Sequence, residues 1–100
     1  MVINWTNPAV KDLKEFSDYT LKTNPSDYIF RLIKTVDLLT SNPKSGKIFF
    51  YSNKHIVRQL IYKEHRILYY IDNETIHIIA VIHHKQDIKR KIKYIKNYLK

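Results

Sequence analysis

The sequence predicts an α+β fold in which helices pack on one face of an antiparallel sheet. Two observations support this prediction: three β-branched-rich runs follow one another, and amphipathic helical patterns lie before and after them. The runs cover residues 56–62, 66–71 and 75–82, and three residues separate each run from the next. Such short breaks are typical of consecutive antiparallel strands.

The N-terminal half predicts a short strand followed by a helical hairpin. Residues 2–5 form the strand, and Asn7-Pro8 is typical of an N-cap followed by the first helical position. A second helix is expected to begin at Asn24-Pro25 and to end at Pro43. The apolar stripes of the two helices contain Ala9, Leu13, Phe16 and Thr20, then Ile29, Ile33, Val36 and Leu39. Charged residues between these positions, Asp12 among them, are expected to face solvent.

The C-terminal half predicts a loop, the three strands and a last helix. The loop, residues 44–47, holds the only glycine. Asp87 is a candidate N-cap for a helix whose apolar stripe contains Ile88, Ile92, Ile95 and Leu99. The sequence therefore predicts an N-terminal strand, an α-helical hairpin, a three-stranded antiparallel meander completing a four-stranded sheet, and a C-terminal helix. We expect one domain spanning residues 1–100.

Composition restricts the possible partners. Lysine and arginine total 18 against 9 acidic residues, a net charge of +9, and apolar residues make up 44% of the chain. A basic folded protein is expected to meet an anionic partner: nucleic acid, an acidic protein segment or a lipid surface. No cysteine is present, which excludes disulfides and thiolate zinc sites. Without a signal peptide or membrane-spanning run, a soluble cytoplasmic protein is expected.

Five segments carry a resemblance to a known family. They are Ile3-Asn4-Trp5-Thr6 with Ala9 and Asp12-Leu13, Asn42-Pro43 with Gly46-Lys47, Val57-Arg58-Gln59-Leu60, His65-Arg66-Ile67-Leu68-Tyr69, and Val81-Ile82-His83 with Asp87. In this order they resemble the motifs of RelE/ParE superfamily toxins from type II toxin–antitoxin modules. The resemblance implies growth arrest by the free toxin, an acidic antitoxin partner in a hetero-oligomer, and no cofactor.

The resemblance allows two mechanisms. RelE-like members cut messenger RNA in the ribosomal decoding site without a metal. On that hypothesis Arg66 is similar to the phosphate-stabilising arginine, and His84 to the catalytic histidine of YoeB-like nucleases. Val57 and Gln59 stand where RelE carries lysines, and Gln86 replaces a late arginine, so the nuclease set is incomplete.

ParE-like members poison DNA gyrase, and His83 and Asp87 fit that branch, which is slightly favoured. A third hypothesis is a non-toxic module that binds nucleic acid or antitoxin. The residues expected to contact the target or nucleic acid are Lys47, Lys54, Arg58, His83 and Lys85.

The same residues also have structural interpretations. Arg58 is expected to pair with an acid from a helix, and Arg66 could be a solvated strand end. His83 and His84 are adjacent on a predicted strand, where successive side chains point to opposite faces. One of them is therefore expected to enter the core, and no shared metal site is predicted. On the C-terminal helix, the lysines that include Lys89, Lys93 and Lys96 are expected to face solvent.

Overall fold

The computed structural model describes residues 1–19 and 25–100, with the side chains of 17–26 excepted. Thr20 and Asn24, which the sequence analysis placed in the helical hairpin, lie outside the described residues. The elements follow the predicted order with one further strand. They are β1 (Val2–Trp5), α1 (Asn7–Tyr19), α2 (Pro25–Asp37), a 3-10 turn (Leu38–Thr40), β2 (Lys47–Ser52), β3 (His55–Tyr62), β4 (His65–Asp72), β5 (Thr75–His83) and α3 (Ile88–Tyr98).

The sheet has five strands in the order β1-β5-β4-β3-β2. Strands β2 to β5 form an antiparallel meander, whereas β1 pairs with β5 in parallel, from Val2 opposite Thr75 to Trp5 opposite Ile78. The α+β class is confirmed, and the sheet has one strand more than the four predicted. The sequence of β2, Lys-Ile-Phe-Phe-Tyr-Ser, shows no apolar alternation. This agrees with its pairing, since the register of β2 with β3 shifts between Ile48 and Phe50.

Tight turns join the four strands of the meander. The first residue of each turn takes a positive φ: 59° at Asn53, 51° at Lys63 and 56° at Asn73. Asparagine tolerates this left-handed conformation better than lysine does, so the turn at Lys63 carries the larger steric cost. Turns this short fix the strand register, which agrees with the predicted runs to within a residue or so.

The two faces of the sheet bury separate cores. Helices α1 and α2 cover one face and α3 covers the other, so the prediction that all helices share one face is wrong. Side chains of β4 alternate accordingly, with Ile67 and Tyr69 in the first core and Leu68 in the second. Because β4 and β5 are buried on both faces, they form almost continuous apolar runs.

Local details of the helices also differ from the sequence prediction. Thr6 rather than Asn7 precedes the first helical turn: its carbonyl accepts from the Val10 N–H, and its hydroxyl donates to the Ile78 carbonyl. In α2, Leu32 is fully buried, which places the stripe one residue before the predicted Ile33. The cap at Asp87 is confirmed, because its carboxylate accepts from the Arg90 N–H. None of the described helices is both long and apolar enough to cross a membrane.

Candidate functional site

The loop before β2 is held by side chains of the sheet, a region that we call the loop anchor (Pro43, Gly46, Arg58 and Tyr69). The buried Tyr69 hydroxyl donates to the Pro43 carbonyl at 2.8 Å and accepts from the Gly46 N–H at 3.0 Å. Arg58 Nη1 donates to the Gly46 carbonyl at 2.9 Å. Arg58 therefore binds backbone carbonyls and not the helical acid that the sequence analysis expected.

Gly46 is required in this position for steric reasons. A Cβ at residue 46 would lie 2.5 Å from the Tyr69 hydroxyl oxygen and 2.8 Å from the Gln59 carbonyl oxygen. Both distances are below any normal carbon–oxygen contact, so a side chain would push the loop off the sheet. Burial raises the pKa of the Tyr69 hydroxyl, while the Gly46 hydrogen bond and Arg58 lower it.

A second polar region lies where β5 ends beside the turn between β3 and β4; we call Glu64, His65, His83 and His84 the histidine cluster. His65 and His83 are opposite each other in the β4–β5 register. The His84 N–H donates to the Glu64 carbonyl at 2.9 Å, which fastens the end of β5 to the turn. The ring centroids of His65 and His83 are 5.0 Å apart, and those of His83 and His84 are 4.4 Å apart.

Both nitrogens of His83 have neighbours. The Lys85 N–H donates to Nδ1 at 3.1 Å, and Nε2 lies 3.4 Å from Oε2 of Glu64. Because Nδ1 accepts, neutral His83 carries its proton on Nε2, which faces the carboxylate. The backbone N–H of His83 also donates to Oε1 of Gln86 at 2.8 Å, so the segment after β5 folds back on the strand.

His65 is the buried member of the cluster. Its Nδ1 is 2.9 Å from the Tyr28 hydroxyl, and its ring contacts Phe16 with centroids 4.2 Å apart. Its Nε2 is buried without a hydrogen-bond partner among the residues that the structure describes. Burial, and secondarily the charge of His83, lowers the pKa of His65 to about 4, although Glu64 opposes this shift.

The two residues predicted for a nuclease site lie in different surroundings. Arg66 belongs to the face that carries α3, where its guanidinium lies 5.0 Å from the ring centroid of Phe49. His84 is exposed and contacts His83. No hydrogen bond or ring contact joins Arg66 to His84 in the described part of the chain.

The expectation that the side chains of His83 and His84 point to opposite faces is also wrong. Strand β5 ends at His83, so His84 lies beyond the strand and no longer follows its alternation. Its ring can therefore turn to the same side as that of His83. Treating His84 as a strand residue extended the strand one residue beyond its end, and this concealed the cluster.

The predicted basic contact residues are spread over the surface. Lys54 lies in the β2–β3 turn, at the end of the sheet opposite the histidine cluster, whereas Lys85 follows His83 directly. Lys47, at the start of β2, is opposite Gln59 and exposed. These lysines do not form one continuous patch with His83.

A cleft of about 520 Å³ separates α1 from α3 at the edge of β5. In it Lys91 Nζ lies 2.6 Å from Oδ1 of Asp12, whose Oδ2 accepts from the Val81 N–H at 2.9 Å. Strand β1 pairs with β5 only as far as Ile78, so Asp12 satisfies an edge N–H that β1 leaves free. Burial raises the pKa of Asp12 more than its hydrogen bonds and Lys91 lower it.

Three residues that shape these sites did not stand out in the sequence. Asp12 was expected in solvent, and Glu64 and His65 stood in what looked like an ordinary polar turn. A histidine directly before an apolar strand is the one available signal for His65. Nothing in the sequence distinguishes Glu64 from other turn glutamates, since its role depends on the neighbouring end of β5.

Comparisons with known proteins agree with this fold. A family model described as the ParE toxin of the type II toxin–antitoxin system parDE matches residues 3–88. A solved structure of the chromosomal ParDE TA system from P. aeruginosa is similar, with a TM-score of 0.64 and 19% identity. The likeness covers 83% of this chain and 95% of that one, and at this identity it shows the fold alone. No curated protein matches this chain significantly. The family match spans most of the sequence, and the chain therefore belongs to the ParE toxin family of type II toxin–antitoxin systems.

Proposed function

We propose that this ParE-family toxin arrests growth by binding DNA gyrase and not by cleaving RNA. One observation supports this choice: no hydrogen bond or ring contact joins Arg66 to His84 among the described residues, and each side chain packs against another ring. An RNA-cleaving site needs a base and a cationic group converging on one phosphate. Arg66 lies over Phe49 on the α3 face, while His84 contacts His83 beyond the end of β5. These different packing partners support a toxin that acts through contact surfaces.

A ribosome-dependent mRNA endoribonuclease remains the second candidate, and a specific contact favours it. The Glu64 carboxylate lies 3.4 Å from His83 Nε2, close to the exposed ring of His84. A carboxylate beside an imidazole is a suitable arrangement for general acid–base chemistry. On this hypothesis His84 transfers the proton, and Arg66 must reorient to reach the phosphate.

We further propose that an acidic antitoxin neutralises the toxin by covering the edge of the sheet. Strand β2 is an edge strand in the described sheet, and such strands offer unpaired backbone groups to a partner. Tyr51 of β2 and Ile56 of β3 are opposite each other, with exposed fractions of 67% and 44%. The net charge of +9 attracts an acidic segment, whose apolar side chains would cover this pair.

The target is tested by inducing the chain alone in bacterial cells. Double-strand DNA breaks with an SOS response support gyrase as the target, whereas cleaved transcripts without DNA damage support the nuclease. Normal growth at high expression contradicts both and supports a non-toxic binding module. In the nuclease case, His84→Ala is expected to slow cleavage by roughly 10²–10⁴-fold, while the matched variant His77→Ala leaves it unchanged. In the gyrase case, His84→Ala leaves the DNA damage intact.

The partner surface is tested by co-expressing the chain with the protein encoded beside its gene, which we expect to be short and acidic. Tyr51→Glu places a negative charge against the acidic antitoxin and removes apolar area at the proposed interface. We therefore expect that the antitoxin no longer co-purifies. Leu38→Glu is the matched control, because Leu38 is equally exposed, at 69%, but lies in the 3-10 turn after α2. Equal retention of the antitoxin by both variants would place the interface elsewhere.

A further inference from the structure

We infer that Glu64, His83 and His84 form a binding site for a divalent transition-metal ion of the Zn²⁺ class. One candidate ligand atom from each residue lies within 4.8 Å of the other two. This is the one such group found in the described part of the chain. The inference does not depend on the gyrase or nuclease proposal, because it concerns the resting toxin and an ion that neither mechanism requires.

The separation between Glu64 and His83 suits an ion better than a direct hydrogen bond. Their Oε2 and Nε2 atoms are 3.4 Å apart, beyond the usual range of about 2.7–3.2 Å for an N–H···O bond. Tetrahedral Zn²⁺ holds nitrogen and oxygen ligands at about 2.0–2.2 Å, which puts two ligands roughly 3.4 Å from each other. These two atoms are therefore already spaced as two ligands of one ion.

The backbone positions the three side chains before any ion binds. The His84 N–H donates to the Glu64 carbonyl at 2.9 Å, so the two residues cannot drift apart. The rings of His83 and His84 are inclined by 32° with centroids 4.4 Å apart, which leaves both rings near the carboxylate. Glu64 and His84 are exposed, and a rotamer change is enough to bring the third ligand to bonding distance.

A second observation concerns the buried histidine beside these ligands. The ring of His65 meets that of His83 nearly edge-on, at 78° and 5.0 Å. Its side chain is buried, with the residue only 3% exposed, and Nε2 has no hydrogen-bond partner among the described residues. Buried polar atoms rarely lack partners unless an ion or water supplies one. An ion held by His83 would bring coordinated water to this neighbourhood.

The ligand set selects the class of ion. Two imidazoles and one carboxylate are typical of zinc sites that leave a fourth position for water, and they also suit Ni²⁺ and Co²⁺. Magnesium prefers oxygen ligands in octahedral geometry and is not expected to bind. The nearby Lys63 and Lys85 oppose a cation, but exposed charges are screened by salt.

Coordination through His83 Nε2 requires its proton to move to Nδ1. That change gives up the hydrogen bond from the Lys85 N–H at 3.1 Å. Lys85 is exposed, so water can take the place of this contact. Once bound, the ion would join the β3–β4 turn to the segment leading into α3 and would hold that connection in place.

The test uses the full, untagged chain titrated with ZnCl₂ alone by calorimetry. We expect one ion per chain for the wild type, with affinity weakened at least tenfold in Glu64→Gln, His83→Asn and His84→Asn. His77→Asn is the matched control, because His77 packs beside Tyr70 and Asn4 at a distance from the cluster. MgCl₂ in place of ZnCl₂ is expected to give no binding.

A second measurement uses only the wild type and so does not depend on how well the variants fold. In the wild type, Zn²⁺ should shift the imidazole NMR signals of His83 and His84 and leave that of His77 in place. Absence of binding to the wild type at 100-fold excess of Zn²⁺, or equal loss of affinity in His77→Asn, would overturn the proposal. So would a titration in which all histidine signals move together, because that pattern indicates adventitious surface binding.

Discussion

The loop anchor and the histidine cluster lie on the same face of β4, four residues apart along the strand, yet they use buried polar atoms differently. In the loop anchor the Tyr69 hydroxyl donates one hydrogen bond and accepts another, and Arg58 donates a hydrogen bond to the Gly46 carbonyl. In the histidine cluster the buried Nε2 of His65 has no partner among the described residues. A satisfied network stabilises a loop, whereas a buried atom without a partner is a place where water or an ion can bind.

The largest expected effect is a dependence of stability on pH that comes from the histidine cluster and not from the loop anchor. His65 has a folded-state pKa of about 4 against about 6.5 in the unfolded chain, so between these values the unfolded state binds more protons. The contribution of His65 to the free energy of unfolding is therefore fully present above pH 6.5. It is lost as the pH drops towards 4, by up to about 3 kcal/mol. The groups facing His65 are Glu64, His83, His84 and Tyr28, and Glu64 works against the shift.

Urea unfolding of the wild type and of His65→Gln across this pH range measures the effect. Subtracting the two curves removes the contributions of all groups other than His65 and those coupled to it. The variant should be less stable at pH 7 and should show a shallower fall below pH 6.5. Parallel curves for the two proteins would mean that His65 is protonated as easily in the folded state as in the unfolded chain.

The loop anchor should respond to packing and not to pH. Gly46→Ala places a Cβ against the Tyr69 hydroxyl and the Gln59 carbonyl, and we expect a loss of about 2–3 kcal/mol, since overpacking a tight site typically costs about 1–3 kcal/mol. Tyr69→Phe removes the closest of these contacts, the one with the hydroxyl oxygen, and keeps the ring carbon Cε1 at 2.8 Å. In a double-mutant cycle by urea denaturation, the two changes should therefore cost less together than the sum of their separate effects. Simple additivity would show that the loop moves away as a unit.

The turn beneath the histidine cluster offers a smaller, stabilising test. Lys63 has a φ of 51°, a conformation that asparagine adopts at lower cost. Lys63→Asn is therefore expected to raise the free energy of unfolding by about 0.5–1 kcal/mol. Lys54→Asn is the control. Lys54 is the second residue of the β2–β3 turn and does not have a positive φ, so this change should alter stability little. A destabilised Lys63→Asn would show that the packing of its ammonium over Tyr28 and Tyr62, at 5.8 and 5.6 Å, outweighs the backbone cost.

The smallest expected effect on stability concerns α3. Changing Lys89, Lys93 and Lys96 to glutamine should alter the melting temperature very little, because exposed charges contribute on the order of 0–1 kcal/mol. The same change should weaken binding to target or antitoxin at low salt, and the difference should shrink as salt screens the wild-type charges. Unchanged binding at low salt would show that this helix face only keeps the protein soluble.

Much of the architecture was predictable because it depends on local periodicity. The meander, the cap at Asp87 and the stripe of α3 follow from apolar spacing and turn residues, and the family motifs agree with the matched family. Strand β2 was missed because a register shift interrupts its alternation. The side of the sheet that α3 covers was also missed, because strands buried on both faces give no preferred direction.

The candidate site was predictable only in part, since its geometry depends on which strand ends meet. Residue type and the family resemblance together drew attention to Arg58, Arg66, His83 and His84. Only the tertiary structure decided that Arg58 binds loop carbonyls and that Arg66 lies on the α3 face. It also placed Glu64 beside His83, 19 positions along the chain. Sequence determines periodicity within a segment, but contacts between distant segments depend on the exact residue at which each strand ends.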